Sequence, residues 1–582
     1  MPLSQKRLLF NETHTASANR LYRLDEEKQL RFQLGYIHDR TTRQYGSEEI
    51  YYFAQDTVHT ATNRHDRLKT DCLNAEVNYE DNTVSRYTRE NFSFAGTWKS
   101  GVSDITGDNA IFQKIKNSQW ELKNYFNQLY TKEKYTWGIR SYIRYTHCSA
   151  SLTVAHRNLP ILFADNMLIA NCIYHRNELS SSDNISENTY RTVIGQTHES
   201  ILAEYEEMNT GNAYTDNALY GMRKINGVNY QLTGGFCGEL SSVKQENAYS
   251  AHSYSFYTVP RIEWERNDFL FTAATTVRWT HLPKQSYSRF CVSPFFCFRY
   301  KFTPRWKMSL LGSLDESEGG LKDIYPFRYR EDYRTVVKHT GKVPVTVRQL
   351  YTCYLEYKNT IKEFFWTLSA SYSHNRYNLI TERNYKDGNF YLSSVERNHS
   401  SHSYILNTIG SKGIYDWNLK TSLELTLARN EGKQLNEGIV QDYRYDYLCV
   451  EPKIVWAPSV FFEAEYKATV SCVGGGIGED TSLDPLWEVA QRLTLSLEFH
   501  DTEFRLSGEH FYNDLSKNQH LNIWLADVSL IHKAGKWRFA ASAINLFNKE
   551  QYRYTLYSAV QSYTSWIKLR PREFMVSVQY QW

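Results

Sequence analysis

The stretch Arg492-Leu493-Thr494-Leu495-Ser496-Leu497-Glu498-Phe499 alternates strictly between polar and apolar residues. It turns at His500-Asp501-Thr502-Glu503 and resumes as Phe504-Arg505-Leu506-Ser507-Gly508-Glu509. A β-strand sends successive side chains to opposite faces, so this period of two describes a hairpin with one apolar and one wet face. The pattern recurs through the chain. Trp417, Leu419, Thr421, Leu423, Leu425 and Leu427 alternate with Asn418, Lys420, Ser422, Glu424 and Thr426. Phe462, Ala464, Tyr466, Ala468 and Val470 alternate with Glu463, Glu465, Lys467 and Thr469, and Phe364 to Ser373 behaves likewise.

A soluble sandwich also alternates, so other features decide. Charge sits in mid-strand at Glu463, Glu465 and Lys467, as a water-filled lumen requires. The arms run about 10–14 residues, beyond the usual 5–6 of soluble strands. Connections alternate between short and long. Short turns are expected near 25–28, 80–83, 131–134, 265–268, 302–305, 359–362, 413–416, 456–459, 500–503 and 532–536. Long polar loops are expected near 101–117, 152–228, 313–348, 376–401 and 473–488. Short turns on one rim and long loops on the other is the layout of outer-membrane barrels. Trp264, Trp306, Trp417, Trp456 and Trp537 flank the short turns, as an interfacial aromatic girdle does.

Composition agrees. Among 582 residues there are 45 Tyr, 29 Phe and 14 Trp but only 12 Pro, and mean hydropathy is −0.58. No run approaches the roughly 20 apolar residues of a spanning helix, whereas a spanning strand needs about 9–11 with every second one apolar. The net charge of +3, from 67 basic and 64 acidic residues, gives no nucleic-acid footprint. The nine cysteines include no C-x-x-C pair, which indicates neither a disulfide framework nor a zinc site. Cys353 sits on an apolar strand face and reads as a small hydrophobe. No cofactor or metal motif stands out.

The fold expected is all-β: a transmembrane antiparallel up-and-down β-barrel spanning residues 1–582 as one domain. Ten short turns and a last segment from Ser565 to Trp582 give about twenty-one strands. Because closed bacterial barrels are even-stranded, a barrel of about 22 strands with its first missing is expected, 16–24 being the first arm present. Met1-Pro-Leu-Ser-Gln-Lys-Arg-Leu-Leu-Phe has no apolar signal region, so the start is expected to be cut away or out of frame.

The chain ends Pro571-Arg572-Glu573-Phe574-Met575-Val576-Ser577-Val578-Gln579-Tyr580-Gln581-Trp582. Phe574, Val576, Val578, Tyr580 and Trp582 form an alternating apolar end that resembles the signal read by the barrel-assembly machinery. With Ala543-Ile544-Asn545-Leu546-Phe547-Asn548 and Leu569-Arg570-Pro571 upstream, this end resembles the closing strands of TonB-dependent receptors of Bacteroidetes-like bacteria. The resemblance implies a nutrient transporter in the outer membrane of a Gram-negative bacterium, without the signal peptide, TonB box and plug of complete members. Its implied partners are outer-membrane lipids, the assembly machinery and, only where a plug with a TonB box is present, the TonB complex. The alternatives are a surface receptor or partner-bound barrel, and then an outer-membrane enzyme using His374 with His402 or His510 with Asp514. Rim histidines in polar loops are read as solvated. Gly474-Gly475-Gly476-Ile477-Gly478 is read as a flexible loop entry.

Overall fold

The computed structural model describes residues 7–8, 10–52, 57–107, 110–133, 135–156, 203–244, 248–330, 334–386, 388–478, 481–515, 519–557 and 561–580. The chain begins with β1 (Phe10–Arg23), β2 (Lys28–Tyr52), β3 (Thr57–Asn82), β4 (Arg86–Gly107), β5 (Ile111–Lys132), β6 (Tyr135–His156), β7 (Ala203–Ile225), β8 (Val228–Lys244) and β9 (Ala248–Arg266). It continues with β10 (Phe269–Leu282), β11 (Tyr287–Lys301), β12 (Trp306–Glu318), the short β13 (Arg328–Arg330) and β14 (Thr335–Lys338), β15 (Val345–Asn359), β16 (Phe364–Lys386) and β17 (Asn389–Ile414). Next come β18 (Leu419–Asn436), β19 (Ile439–Ser459), β20 (Phe462–Ile477), β21 (Thr481–Phe499), β22 (Thr502–Leu515) and β23 (Gln519–Ala534). β24 (Trp537–Ile544), β25 (Gln551–Tyr557), β26 (Gln561–Lys568) and β27 (Glu573–Tyr580) complete the chain.

All these strands belong to one sheet. Neighbours in sequence pair antiparallel from β1 to β12 and from β15 to β24, with β12 joined directly to β15. β13 and β14 leave the wall in the connection between β12 and β15, and β14 lies parallel to β17. The fold is the expected all-β up-and-down barrel type. No described helix is long and apolar enough to cross a membrane.

The alternation seen in sequence becomes two rows of register partners. Leu419, Trp456, Ala464, Leu495, Leu506, Val528, Ala543 and Phe574 lie side by side on successive strands, all apolar. One residue away, Glu463, Ser496, Arg505, Ser529 and Ser542 form the neighbouring row, with Met575 at its end. A slip of one residue anywhere would mix the rows, so burial of one face in a different solvent fixes the register.

The connections differ from expectation in a systematic way. Much of the sequence assigned to long loops is strand: β4 and β5 occupy most of 101–117, β16 and β17 most of 376–401, and β20 and β21 most of 473–488. The ladder continues through these stretches with buried apolar residues on it: Ile105 and Ile111 cluster with Leu152 and Val154, Ile380 and Phe390 are buried on β16 and β17, and Ile477, Leu483 and Leu486 on β20 and β21. β2 has 25 residues and β3 and β17 each have 26, about 85 Å of strand at ~3.4 Å per residue against a hydrocarbon core of roughly 30 Å. The stretch 313–348 is the exception, holding a 3-10 turn with β13 and β14. Of the expected loop 152–228, residues 157–202 lie outside the described residues, and the rest holds the end of β6 and the whole of β7, which turns into β8 at Asn226 (φ 48°) and Gly227 (φ 82°). Two left-handed residues in a two-residue turn are the type I′ pattern that Asn-Gly favours. Gly474–Gly476 is strand, not loop entry: β20 bulges between Val473 and Gly475, and Gly475 (φ 156°) lies where a Cβ would strike the Arg444 carbonyl.

The eleventh short turn changes the count. From β2 onward, with β24–β25 and β26–β27 each taken as one broken strand, the described wall has twenty-two strands, and β1 is one more. No strand ahead of β1 is needed to reach the expected number. Among the described residues the ladder is not closed: β1 pairs only with β2, and β27 only with β24. Above that gap β26 pairs with β2, Tyr45↔Ile567 through Tyr51↔Gln561.

Candidate functional site

The polar face of the sheet lines the interior, and its side chains are tied into pairs. Asn407 donates to Glu424 Oε1 at 2.8 Å and to Thr426 at 2.9 Å. Lys467 meets Glu451 at 3.3 Å and Lys453 meets Glu465 at 3.3 Å, joining β19 to β20. Of the mid-strand charges read from sequence, Glu465 and Lys467 thus meet opposite charges across the ladder on β19. Water on this face screens such pairs, so they set wall polarity more than stability.

On β6 to β9 the interior lining is aromatic and basic. Tyr257 donates to Asp216 at 2.7 Å, while Arg140 reaches Asp216 at 3.3 Å and Tyr257 at 3.1 Å. Arg144 lies over the Tyr214 ring, 5.5 Å from its centroid. A wall of phenol hydroxyls and guanidinium groups offers passing solutes both hydrogen bonds and flat stacking surfaces.

The interior also holds Arg7 and Leu8. Arg7 makes ion pairs with Glu509 at 2.5 Å and Asp527 at 2.8 Å, and both Arg7 and Glu509 are buried. Arg492 also pairs with Glu509. The Arg570 N–H donates to the Arg7 carbonyl at 2.9 Å. Leu8 packs on a cluster of Phe511, Ile523, Leu525, Tyr552 and Leu569. Phe511, Ile523 and Leu525 share the face of Glu509, so β25 folds inward over β22 and β23. Asn545 fixes the bend: its side chain donates to the carbonyls of Lys549 and Arg570, and its N–H donates to Asp527. Sequence reasoning noted Asn545 only as part of a family-like end and missed Arg7, whose partners lie more than 500 residues away.

The apolar face carries the aromatic belt. Trp306 meets Tyr357 at 4.8 Å between centroids, Trp264 meets Phe269 at 5.0 Å, and Trp537 meets Tyr580 at 4.7 Å. Trp456 is also exposed on β19, and Trp417, also exposed, ends the 3-10 turn Tyr415–Trp417 ahead of β18 instead of standing on the strand. Phe574, Val576, Val578 and Tyr580 stand together on the apolar face of β27, opposite Ala543, Ala541, Phe539 and Trp537 of β24. All four are exposed. Trp582 lies outside the described residues.

The rim histidines stand on strands, not in loops. His374 and His402 face each other at 3.2 Å, with Arg376 donating to His374. His510 stacks on Trp524 at 4.3 Å and bonds Gln491 and Asn522, while Asp514 accepts from Tyr512 and from the Trp487 N–H. His510 and Asp514 therefore use different partners and do not form a dyad. Cys353 shares an outward face with Tyr351 and Leu355, and the described cysteines are free thiols. Among the described residues no group of His, Cys, Asp and Glu has the arrangement of a metal site.

No protein-family model matches the sequence, and no curated protein matches it significantly. Among solved structures, the chain is similar to the outer membrane transporter YddB from Escherichia coli, at 10% identity and TM-score 0.49, over 97% of this chain and 76% of that one. It is similar to a ferric enterobactin receptor mutant from Pseudomonas aeruginosa at 10% identity and TM-score 0.44, covering 96% and 80% respectively. It is also similar to the ferric yersiniabactin uptake receptor FyuA from Yersinia pestis, at 8% identity and TM-score 0.44, covering 99% and 81%.

Proposed function

We propose that this chain is the membrane-spanning wall of an outer-membrane nutrient transporter of the TonB-dependent type, residues 1–582 forming one barrel domain. The observation that carries the reading is the apolar row from Leu419 to Phe574, set one residue from the polar row Glu463 to Ser542. A sheet this long, apolar on one face and ionised on the other, needs lipid outside and water within. Its partners are outer-membrane lipids and, through the alternating end on β27, the barrel-assembly machinery. The TonB complex engages this wall only through a plug carrying a TonB box. The work of the wall is passage or binding along the lumen, with no catalytic step assigned.

A second reading, a surface receptor, draws on the ribbons that β2–β3 and β16–β17 raise beyond membrane thickness. Growth of cells on scarce chelated nutrients, with and without a functional TonB, separates the two. Uptake that depends on both this chain and TonB supports the transporter; surface binding of a partner without uptake supports the receptor.

A further inference from the structure

β1 and β27 lay claim to one edge. β26 pairs with β2 from Tyr51↔Gln561 to Tyr45↔Ile567. Continued along the chain in that register, Glu573 to Tyr580 would fall opposite Asp39 to Phe32. Those β2 residues are held instead by Thr13 to Arg20 of β1. β27 then has no strand on its second edge among the described residues, and neither does β1. Both run away from the level of β26 toward the short-turn rim, so they are parallel neighbours across an open seam.

The side chains favour β27 on that edge. In the continued register Tyr580, Val578 and Val576 come beside Phe32, Leu34 and Tyr36, which are exposed on the apolar face of β2. Gln579 and Ser577 come beside Gln33 and Gly35 on the polar face. β1 puts Tyr22, Arg20, Ala18 and Ala16 on the apolar face beside Leu30, Phe32, Leu34 and Tyr36. After Phe10 every residue of β1 is exposed. An arginine and two alanines are a poor surface for lipid, and two open strand edges in hydrocarbon leave backbone groups unpaired.

We propose that Phe10–Arg23 is a displaceable seam strand, and that in the membrane β27 takes its place on the Phe32–Asp39 edge of β2. The exchange pairs β27 on both edges and closes the twenty-two strands that start at β2. The displaced segment stays tethered at one end by Arg7 on Glu509 and Asp527, and at the other by the turn into β2. The stretch Asn11 to Asn19, of small or polar residues, then lies in the lumen as a strap. The argument rests on the membrane reading for its choice of outward face, but the competition for one edge rests on register alone.

Cysteine pairs in the full chain, with the nine native cysteines replaced, test the exchange in lipid vesicles. Leu34→Cys with Val578→Cys, or with Val576→Cys for a two-residue slip at the bend, reports β27 on the edge; Ala18→Cys with Leu34→Cys reports β1. The exchange gives at least fivefold more disulfide in one of the first pairs than in the last. Dominance of Ala18 with Leu34, or cross-linking of neither, overturns it while leaving the membrane reading intact. A second variant, with Phe10–Arg23 replaced by a glycine-serine segment of equal length so that Arg7 keeps its partners, is expected to keep heat-modifiable migration on gels and its melting temperature; loss of the fold overturns the proposal. Failure of the unaltered chain to insert at all overturns the membrane reading, and with it the lipid argument for exchange.

Discussion

Leu495 and Thr494 are neighbours in the chain and face different solvents, because strand side chains alternate. Arg at position 495, or at Leu423, places a charge in hydrocarbon at roughly 2–4 kcal/mol near mid-depth. Thr494→Arg and Glu424→Gln fall on the wet face and are expected to cost less than about 1 kcal/mol. Denaturant unfolding from lipid vesicles measures both; equal sensitivity of the two faces contradicts the assignment. Such face choices were legible because they depend only on near neighbours in sequence. The Arg7 contacts were not, since nothing local to Met1–Phe10 tells that a guanidinium will meet carboxylates of β22 and β23. Glu509→Gln removes a buried charge shared by Arg7 and Arg492. It is expected to destabilise the chain by about 3 kcal/mol, the cost typical of breaking a buried pair. A melting temperature unchanged in Glu509→Gln argues that Arg7 is not held there.

At the scale of elements, hairpins with clear alternation in both arms were read as hairpins, though the turn expected at 500–503 is only His500-Asp501, since Thr502 and Glu503 already pair with Phe499 and Glu498. Those beyond the membrane band were read as loops, because their buried apolar residues, such as Ile105, Ile111, Ile380 and Phe390, are few and scattered among polar ones and mark no clear period. The β7–β8 turn was lost for another reason: the face of β7 that meets Ile143, Ser141, Trp137 and Tyr135 carries Thr215, Asn217, Gly221 and Arg223, which hide the period, although Asn226-Gly227 is a strong local signal by itself. Gly227→Val forces a β-branched residue to φ near 82° and is expected to cost about 1–3 kcal/mol. Gly227→Asn, which tolerates the left-handed region, is expected to cost less. Unfolding curves of the two variants measure the difference. The closing element behaves as a unit. Changing Phe574 to Ser and deleting Trp582 removes apolar groups from the proposed assembly signal and lipid-facing edge. In an exported chain this variant is expected to accumulate unfolded, without heat-modifiable migration. Normal migration argues that assembly reads another segment.

For the molecule as a whole, fold class and face polarity followed from alternation, while closure did not. Closure depends on which of two segments occupies Phe32–Asp39, a competition between residues far apart in sequence. It also depends on the inward bend at Asn545, which carries β25 over β22 and β23. A wall of this many strands encloses a lumen wide enough to conduct unless something fills it. The chain alone, refolded into planar bilayers, is therefore expected to give a large and poorly selective conductance without energised uptake. Small ion-selective currents would argue for a lumen already filled. The central claim, lipid on one face and water on the other, is tested most directly by spin labels placed singly from Leu493 to Glu498 in vesicles. The account predicts alternation: oxygen accessibility high at 493, 495 and 497, and accessibility to a water-soluble nickel reagent high at 494, 496 and 498. A uniform profile, or one in which the odd positions favour the nickel reagent, would contradict it.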